Sequence, residues 1–354
     1  MRGVRGHAAG DVRLDEIAEP GQPGPGQAVV EVGCCGICGS DVSEVDHGPQ
    51  LIRATAHPLT GAAPPLVLGH EFSGRVVAVG EGGPPLAPGT RVTVDPCWRC
   101  GTCFACVRGD YHLCRHGGAV GLASDGAFAA RVLVPAEGLI PLPDAVDDCL
   151  GALTEPLAVA LHALDRAGLQ AGETLLIAGF GPIGAAVLLL ARSLGAGQVI
   201  VSEPVAARRE RARALGATLA VDPTADDLRE AVRGATGGVG ADRVVECSGR
   251  PQVIPEALQT LRRGGRMAVA SVVLEDATVP LGHLVLFERE LVGTLGYRHD
   301  LPRVVALVAA GLLDPAPLVT SVVSLDEAPA TLLALARGER GDDLKIIVDV
   351  KGSA

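Results

Sequence analysis

The sequence predicts an α/β chain of two domains, in which a doubly wound, parallel six-stranded sheet follows an irregular, mainly β region. Its 354 residues exceed what one ordinary core holds, since domains usually run to about 100–200 residues. From about Leu153 strand and helix patterns alternate regularly, whereas from about Gln27 to Arg131 short β-rich runs are punctuated by Gly and Pro clusters. Hydrophobic residues make up 48% of the chain but only eight are aromatic, so small aliphatics must build the core, as suits buried parallel strands.

In the first region Ala28–Val32, Gly74–Val79 and Thr90–Val94 read as strands of a largely antiparallel structure. In the second, Thr174–Ala178 reads as a strand, followed by a helix from Pro182, a strand Val199–Ser202 and a helix Val205–Leu215. The alternation continues through Thr218–Val221, a helix Ala225–Arg233, Arg243–Glu246, a helix Val253–Leu261 and Arg266–Ser271. Six strands are expected to complete two mononucleotide-binding halves. Beyond Leu291 a helix over Arg303–Ala310 and a closing strand Leu344–Val350 are expected to return to the first region. No repeat or low-complexity segment interrupts this order.

The formal charge of -11 is spread without an acidic or basic block, which argues against a nucleic-acid or anionic-membrane surface and for a small-molecule partner. Only Lys345 and Lys351 stand against 28 arginines, and nothing mechanistic follows from that bias. Met1–Glu16 alternates small, basic and acidic residues and lacks the apolar stretch of an export signal. The apolar run Leu175–Ala191 contains Gly179, Gly181, Pro182 and Gly184 and falls short of the ~20 residues a spanning helix needs, so no membrane partner is expected. A cytoplasmic location is expected, and there ten cysteines point to metal ligation rather than disulfides. Cys34, Cys35 and Cys149 read as buried small residues.

Gly179-Phe180-Gly181-Pro182-Ile183-Gly184 fits GxGxxG directly after an apolar strand and at the head of a helix. The pattern is weak alone, but glycines there allow a tight turn and close backbone approach, and a helix N-terminus offers free N–H groups to pyrophosphate. Glu203 closes the next strand, where a carboxylate accepts hydrogen bonds from adenosine ribose hydroxyls and repels a 2′-phosphate, which favours NAD over NADP. Arg208 and Arg209 keep NADP open, because an arginine near this strand end also holds a 2′-phosphate. The bland alternative is that the glycines only let a helix pack on a sheet and that Glu203 is solvated.

Cys100, Cys103, Cys106 and Cys114 form CxxCxxCx7C, which one loop can fold around a single tetrahedral zinc. Four thiolates leave no open position, so such a site is structural. An iron–sulfur cluster is the competing reading, and Cys97 is the rival for a ligand position. A second constellation is scattered: Cys38 in GICGSD, His70 and Glu71 in GHE, and Glu155 in TEPL. A thiolate, an imidazole and a carboxylate make a mixed zinc sphere that keeps a place for water or substrate. Singly, the same residues read as a buried small hydrophobe, a core histidine and a helix-capping acid.

Taken together, GxCGSD, GHE, the four-cysteine lobe, the EP segment and GxGxxG, in that order, resemble the zinc-containing medium-chain alcohol dehydrogenases over almost the full length. Glu155-Pro156-Leu157-Ala158-Val159-Ala160-Leu161-His162-Ala163 is similar to the polyol, sorbitol, threonine and butanediol branch. His57–Gly61 leading into Leu68–Gly74, and Lys345-Ile346-Ile347-Val348, are closest to 2,3-butanediol dehydrogenases. The resemblance implies a GroES-like catalytic domain over 1–152 and 293–354, with a metal lobe at about 95–116, and a Rossmann domain over 153–292. It implies two zinc ions per chain, NAD as hydride acceptor, a secondary alcohol or its ketone as substrate, a vicinal diol or polyol in particular, and a homodimer or homotetramer.

By the same resemblance Cys38 and His70 are direct ligands, Glu71 and Glu155 bind directly or through water, and Asp41 orients His70. The ion acts as a Lewis acid on the alcohol, and Ser40 relays its proton toward the cofactor ribose. Many relatives carry a histidine five residues after the cysteine ligand; this chain has Ser43, so the relay is expected to end differently. His47 is a substitute or an idle loop residue. Tyr297 is a residue near the nicotinamide or a packing residue, and Cys247-Ser248-Gly249 touches the cofactor or is a plain turn. A cyclitol, sugar or amino-sugar alcohol is the alternative substrate. A catalytically silent cofactor-binding protein is the other rival; its mark would be lost zinc ligands, and none is lost.

Overall fold

The computed structural model describes residues 1–352 apart from 274; the last two positions of the region expected to end at 354 lie outside the described residues. The chain divides into two compact units. The first holds Met1–Glu155, Leu301–Ala309 and the segment from Val319 onward; the second holds Pro156–Asp300 and Ala310–Leu318.

The first unit is built around the strand Gln27–Gly36, whose residues are buried at all but two positions. It pairs antiparallel with Glu71–Val79, Arg131–Pro135 and Lys345–Asp349, so the far end of the chain lies beside residues 34–36. The sheet runs in the order Leu139–Pro141, Arg91–Val94, Glu71–Val79, Gln27–Gly36, Lys345–Asp349, Val319–Ser324, and only the last pair is parallel. Valines and leucines fill the core around Phe72 and Phe128, which are fully buried. The amino terminus, unassigned from sequence, forms a hairpin of Arg2–Ala8 and Asp11–Glu16 that buries Val4 and Val12. Its alternating charges are the outward face of that hairpin.

In the second unit six strands, all parallel, run Leu219–Val221, Gln198–Ser202, Thr174–Ala178, Ala241–Glu246, Leu261–Val269, Glu290–Gly293. This is the doubly wound order, with its reversal point between Thr174–Ala178 and Ala241–Glu246. The sixth strand, Glu290–Gly293, is half-exposed and too short to declare itself in the sequence. The expected helix over Ala225–Arg233 begins later, at Leu228–Ala235, because Asp227 caps it by accepting the Glu230 N–H at 3.0 Å. The expected strand Arg266–Ser271 starts earlier, at Leu261, which pairs with Ala241.

One long element escaped the sequence reading: the 20-residue helix Asp148–Ala167. Pro156 lies inside it and withholds one backbone N–H, which a proline costs a helix interior. The division between the two units falls at Glu155 and Pro156. Cys34 and Cys149, expected as unpaired, are disulfide-bonded, with Cα atoms 5.2 Å apart. Compartment arguments count cysteines; they do not foresee that the end of a strand and the start of a helix 115 residues later meet. Among the described residues no helix is long and apolar enough to cross a membrane.

Candidate active site and metal centres

The four cysteines of the lobe converge. Sulfur atoms of Cys100, Cys103, Cys106 and Cys114 all lie within 4.8 Å of one another. Cys114–Cys100, Cys103–Cys114 and Cys100–Cys106 stand 3.5, 3.9 and 4.0 Å apart. Four thiolates at a Zn–S distance of about 2.3 Å are separated by about 3.8 Å along a tetrahedron's edges, so the donor set fits zinc. Backbone N–H groups of Thr102 and Cys103 hold the Cys100 thiol down to about 5, toward the thiolate a metal requires. The lobe rests on Asp95, which accepts the Tyr111 hydroxyl at 2.7 Å, while the Arg99 guanidinium lies 4.0 Å over the Tyr111 ring. Cys97 stands outside the cluster, its thiol pushed up by burial and by Asp95.

The scattered constellation also assembles, in part. Cys38, His70 and Glu71 bring one ligand atom each within 4.8 Å of one another. Cys38 stands at the N-terminus of the helix Gly39–His47, and the antiparallel register sets Gly36 opposite Glu71. Asp41, fully buried, ties the two loops: one carboxylate oxygen accepts the Cys38 N–H at 3.0 Å, the other the Gly69 N–H at 3.2 Å. The latter oxygen lies 3.6 Å from His70 Nδ1, a buried nitrogen with no nearer hydrogen-bond partner among the described residues. Burial pushes the His70 imidazole down, but Asp41 and Cys38 outweigh it and hold it well above its ordinary 6.5. Gly69 has φ +93°, and a Cβ there would press on Cys35 and Phe128 at 3.0 Å. Only glycine turns the chain into His70 at that point. Ser40 Oγ lies 3.2 Å from His70 Nε2.

Glu155 does not join that three-residue group. It is buried on the helix Asp148–Ala167, within electrostatic reach of Lys345 and Cys97. Lys345 is the residue sequence reasoning missed: it is 2% exposed, forms an ion pair with Glu71 Oε2 and donates to the Ile37 carbonyl at 2.8 Å. One of two lysines in the chain, on a buried strand, was the available signal. Ser43 donates to Gln50 Oε1 at 2.6 Å, and His47 closes the helix at the surface, 3.0 Å from Asp46.

In the second unit Gly179 has φ +96°, and a Cβ on it would come within 2.8 Å of Ser248. One on Gly184 would collide with the Gly179 carbonyl, whereas the space at Gly181 is open. Gly181 is the N-cap of the helix Pro182–Ser193, which no side chain caps among the described residues, a helix end of the kind that suits an anion, and Phe180 is fully buried. Glu203, 4% exposed, is not solvated: its two oxygens accept the N–H groups of Phe180 at 2.8 Å and Val205 at 2.9 Å. Arg209 donates to the Glu203 and Pro204 carbonyls and pairs with Asp222 at 3.0 Å, and Arg208, half-buried, precedes it on the helix Ala206–Ala214. Fully buried Glu246 accepts the Ser248 N–H at 2.6 Å and the hydroxyls of Ser248 and Ser271, fixing the two strand-end loops beside Gly179. Tyr297 is buried.

Two family models match this arrangement, an alcohol dehydrogenase GroES-like domain over residues 24–144 and a zinc-binding dehydrogenase domain over 182–310. The chain is 37% identical over 332 residues to the (R,R)-butanediol dehydrogenase of Bacillus subtilis (strain 168), covering 92% of this chain and 93% of that one. The crystal structure of 2R,3R-butanediol dehydrogenase from Bacillus subtilis superposes with a TM-score of 0.91 at 35% identity, over 99% of both chains. A zinc-binding dehydrogenase from Sinorhizobium meliloti 1021, bound to NADP, superposes with a TM-score of 0.88 at 34% identity, also over 99% of both. Ordered motifs, two donor clusters and a glycine turn at the sheet's reversal point thus converge with these likenesses, and the chain belongs to the zinc-binding dehydrogenase family.

Proposed function

We propose that this chain transfers a hydride between NAD and a secondary alcohol, a vicinal diol such as 2,3-butanediol, and runs the reverse reduction of the ketone. The observation that carries the reading is Ser40 Oγ, 3.2 Å from His70 Nε2 and beside the Cys38, His70 and Glu71 donors. Those three side chains would hold the catalytic zinc, with Glu155 as a further buried carboxylate, and the four-cysteine lobe would hold a structural one. Zinc in an open mixed site supplies Lewis acidity that lowers the pKa of an alcohol and polarises a carbonyl.

The protein's own groups do the rest. Asp41 keeps Cys38 and His70 in register, and the Ser40 hydroxyl takes the alcohol's proton and passes it on. Gly181 and the N-terminus of Pro182–Ser193 receive the pyrophosphate, and the Glu203 carboxylate, already fixed to the Phe180 N–H, sets a negative charge where a 2′-phosphate would lie. NAD is therefore favoured even though a relative binds NADP. Assembly as a homodimer or homotetramer rests on family membership alone.

The test is initial rates with diols, sugar alcohols and cyclitols, each with NAD and with NADP. The reading expects the highest kcat/KM with a vicinal diol and NAD. A preference for NADP overturns the role of Glu203, and activity confined to sugar alcohols or cyclitols overturns the diol.

A further inference from the structure

Lys345 is a fully sequestered ammonium among acids. Its side chain is 3% exposed and that of its partner, Glu71, 1%. The pair exists because the strand Lys345–Asp349 joins the sheet against residues 34–36, which lays Lys345 beside the Gly36–Cys38 turn, where Ile37 also exchanges a backbone bond with Ile346 at 2.9 Å. Gly36 makes the room: a Cβ there would collide with Glu71 Oε2 and come within 2.9 Å of Lys345 Cε. The ammonium therefore has a built seat of a carboxylate, a carbonyl and a glycine floor. A buried cation is retained against its desolvation cost only where charge and hydrogen bonds compensate it.

We propose that Lys345 is a positioning residue for the metal centre, competing with the ion for the Glu71 carboxylate and so keeping Glu71 a weak ligand and one coordination position open. The inference rests on the reading of Cys38, His70 and Glu71 as a metal site. A carboxylate oxygen of Glu71 lies within 4.8 Å of the Cys38 and His70 ligand atoms, and Lys345 holds the same carboxylate at Oε2. Two cations on one carboxylate divide its charge, and where both side chains are buried they also repel each other strongly. Without the ammonium Glu71 turns both oxygens to the ion, binding tightens and the open position closes.

The experiment loads cobalt(II) in place of zinc and records the visible absorption of the wild type, Lys345→Met, Lys345→Arg and Lys345→Met/Glu71→Gln, each as a difference against Cys38→Ser, which keeps the four-cysteine lobe but loses the second site. Release of the second-site ion to a chelator is timed in parallel. Lys345→Met is expected to weaken the d–d bands toward those of a higher coordination number and to slow release roughly tenfold, the scale on which groups behind metal ligands act. Lys345→Arg is expected to match the wild type, and the double variant, which also removes the uncompensated buried acid, to recover its bands. Unchanged bands and release in Lys345→Met, or faster release, overturn the proposal while leaving the metal site standing. A wild type with no difference spectrum against Cys38→Ser overturns the metal site, and the proposal with it.

Discussion

Ser40 is the residue on which turnover depends without metal retention depending on it. Its hydroxyl lies 3.2 Å from His70 Nε2, and a neutral hydroxyl is not one of zinc's usual protein ligands, so Ser40→Ala is expected to lower kcat by about 10²–10⁴-fold, as for loss of a general acid–base group, with zinc content unchanged. Steady-state rates with metal analysis check this, and near-normal turnover would remove Ser40 from the relay. Gly36→Ala tests the seat beneath Glu71 and Lys345. Overpacking of a closed site costs about 1–3 kcal/mol, and here it falls on the ion pair, so the variant is expected to lose second-site zinc and to unfold at lower denaturant while keeping the lobe's ion. Metal analysis after dialysis reads the difference. At this scale Cys38, His70 and Glu71 were legible because type and order survive in a linear motif. Lys345 was not, because its meaning comes from a strand pairing with a partner more than 270 residues earlier.

Elements were legible in proportion to how far their own residues decide them. The strands Thr174–Ala178 and Gln198–Ser202 are mainly apolar, buried beyond their first residues and preceded by glycines, and sequence and structure agree on them to within one residue. The start of the helix Leu228–Ala235 depended on which of several acids caps it. Asp227→Ala is expected to cost about 1 kcal/mol, the usual worth of an N-cap, seen as a shifted urea midpoint of the second unit. The helix Asp148–Ala167 went unread because proline at 156 hides its continuity. Asp242 ties the N-terminal ends of the two central strands: it accepts the Thr174 N–H at 2.8 Å and pairs with Arg262 at 2.5 Å. Burial pushes its carboxyl up, but Arg262 and the Thr174 N–H outweigh that and leave it below its ordinary 3.8. A folded-state value below the unfolded one stabilises above about 3.8 and is lost as pH falls through the folded value. Asp242→Asn is therefore expected to lower the melting temperature at pH 7, with the gap closing below about pH 3.8; a gap independent of pH would show that the charge contributes nothing.

For the whole molecule, the β region and the doubly wound sheet could be read from texture alone, since period and punctuation change near residue 150. Texture foresaw that the closing strand returns to the first region; what it could not supply was the pairing of that strand with residues 34–36, which brings Lys345 to the site, or the Cys34–Cys149 bond that joins a strand to the long helix. Both are long-range facts with no local trace. The proposed chemistry needs two separate metal centres in one chain, one on the four-cysteine cluster and a reacting one on Cys38, His70 and Glu71. Zinc per chain in the wild type and in Cys38→Ser, measured beside alcohol oxidation, tests it most directly. Two zinc ions falling to one, with oxidation abolished and the lobe's ion retained, is the predicted result. One zinc in the wild type, or a Cys38→Ser chain that keeps two ions or still oxidises the alcohol, would contradict it.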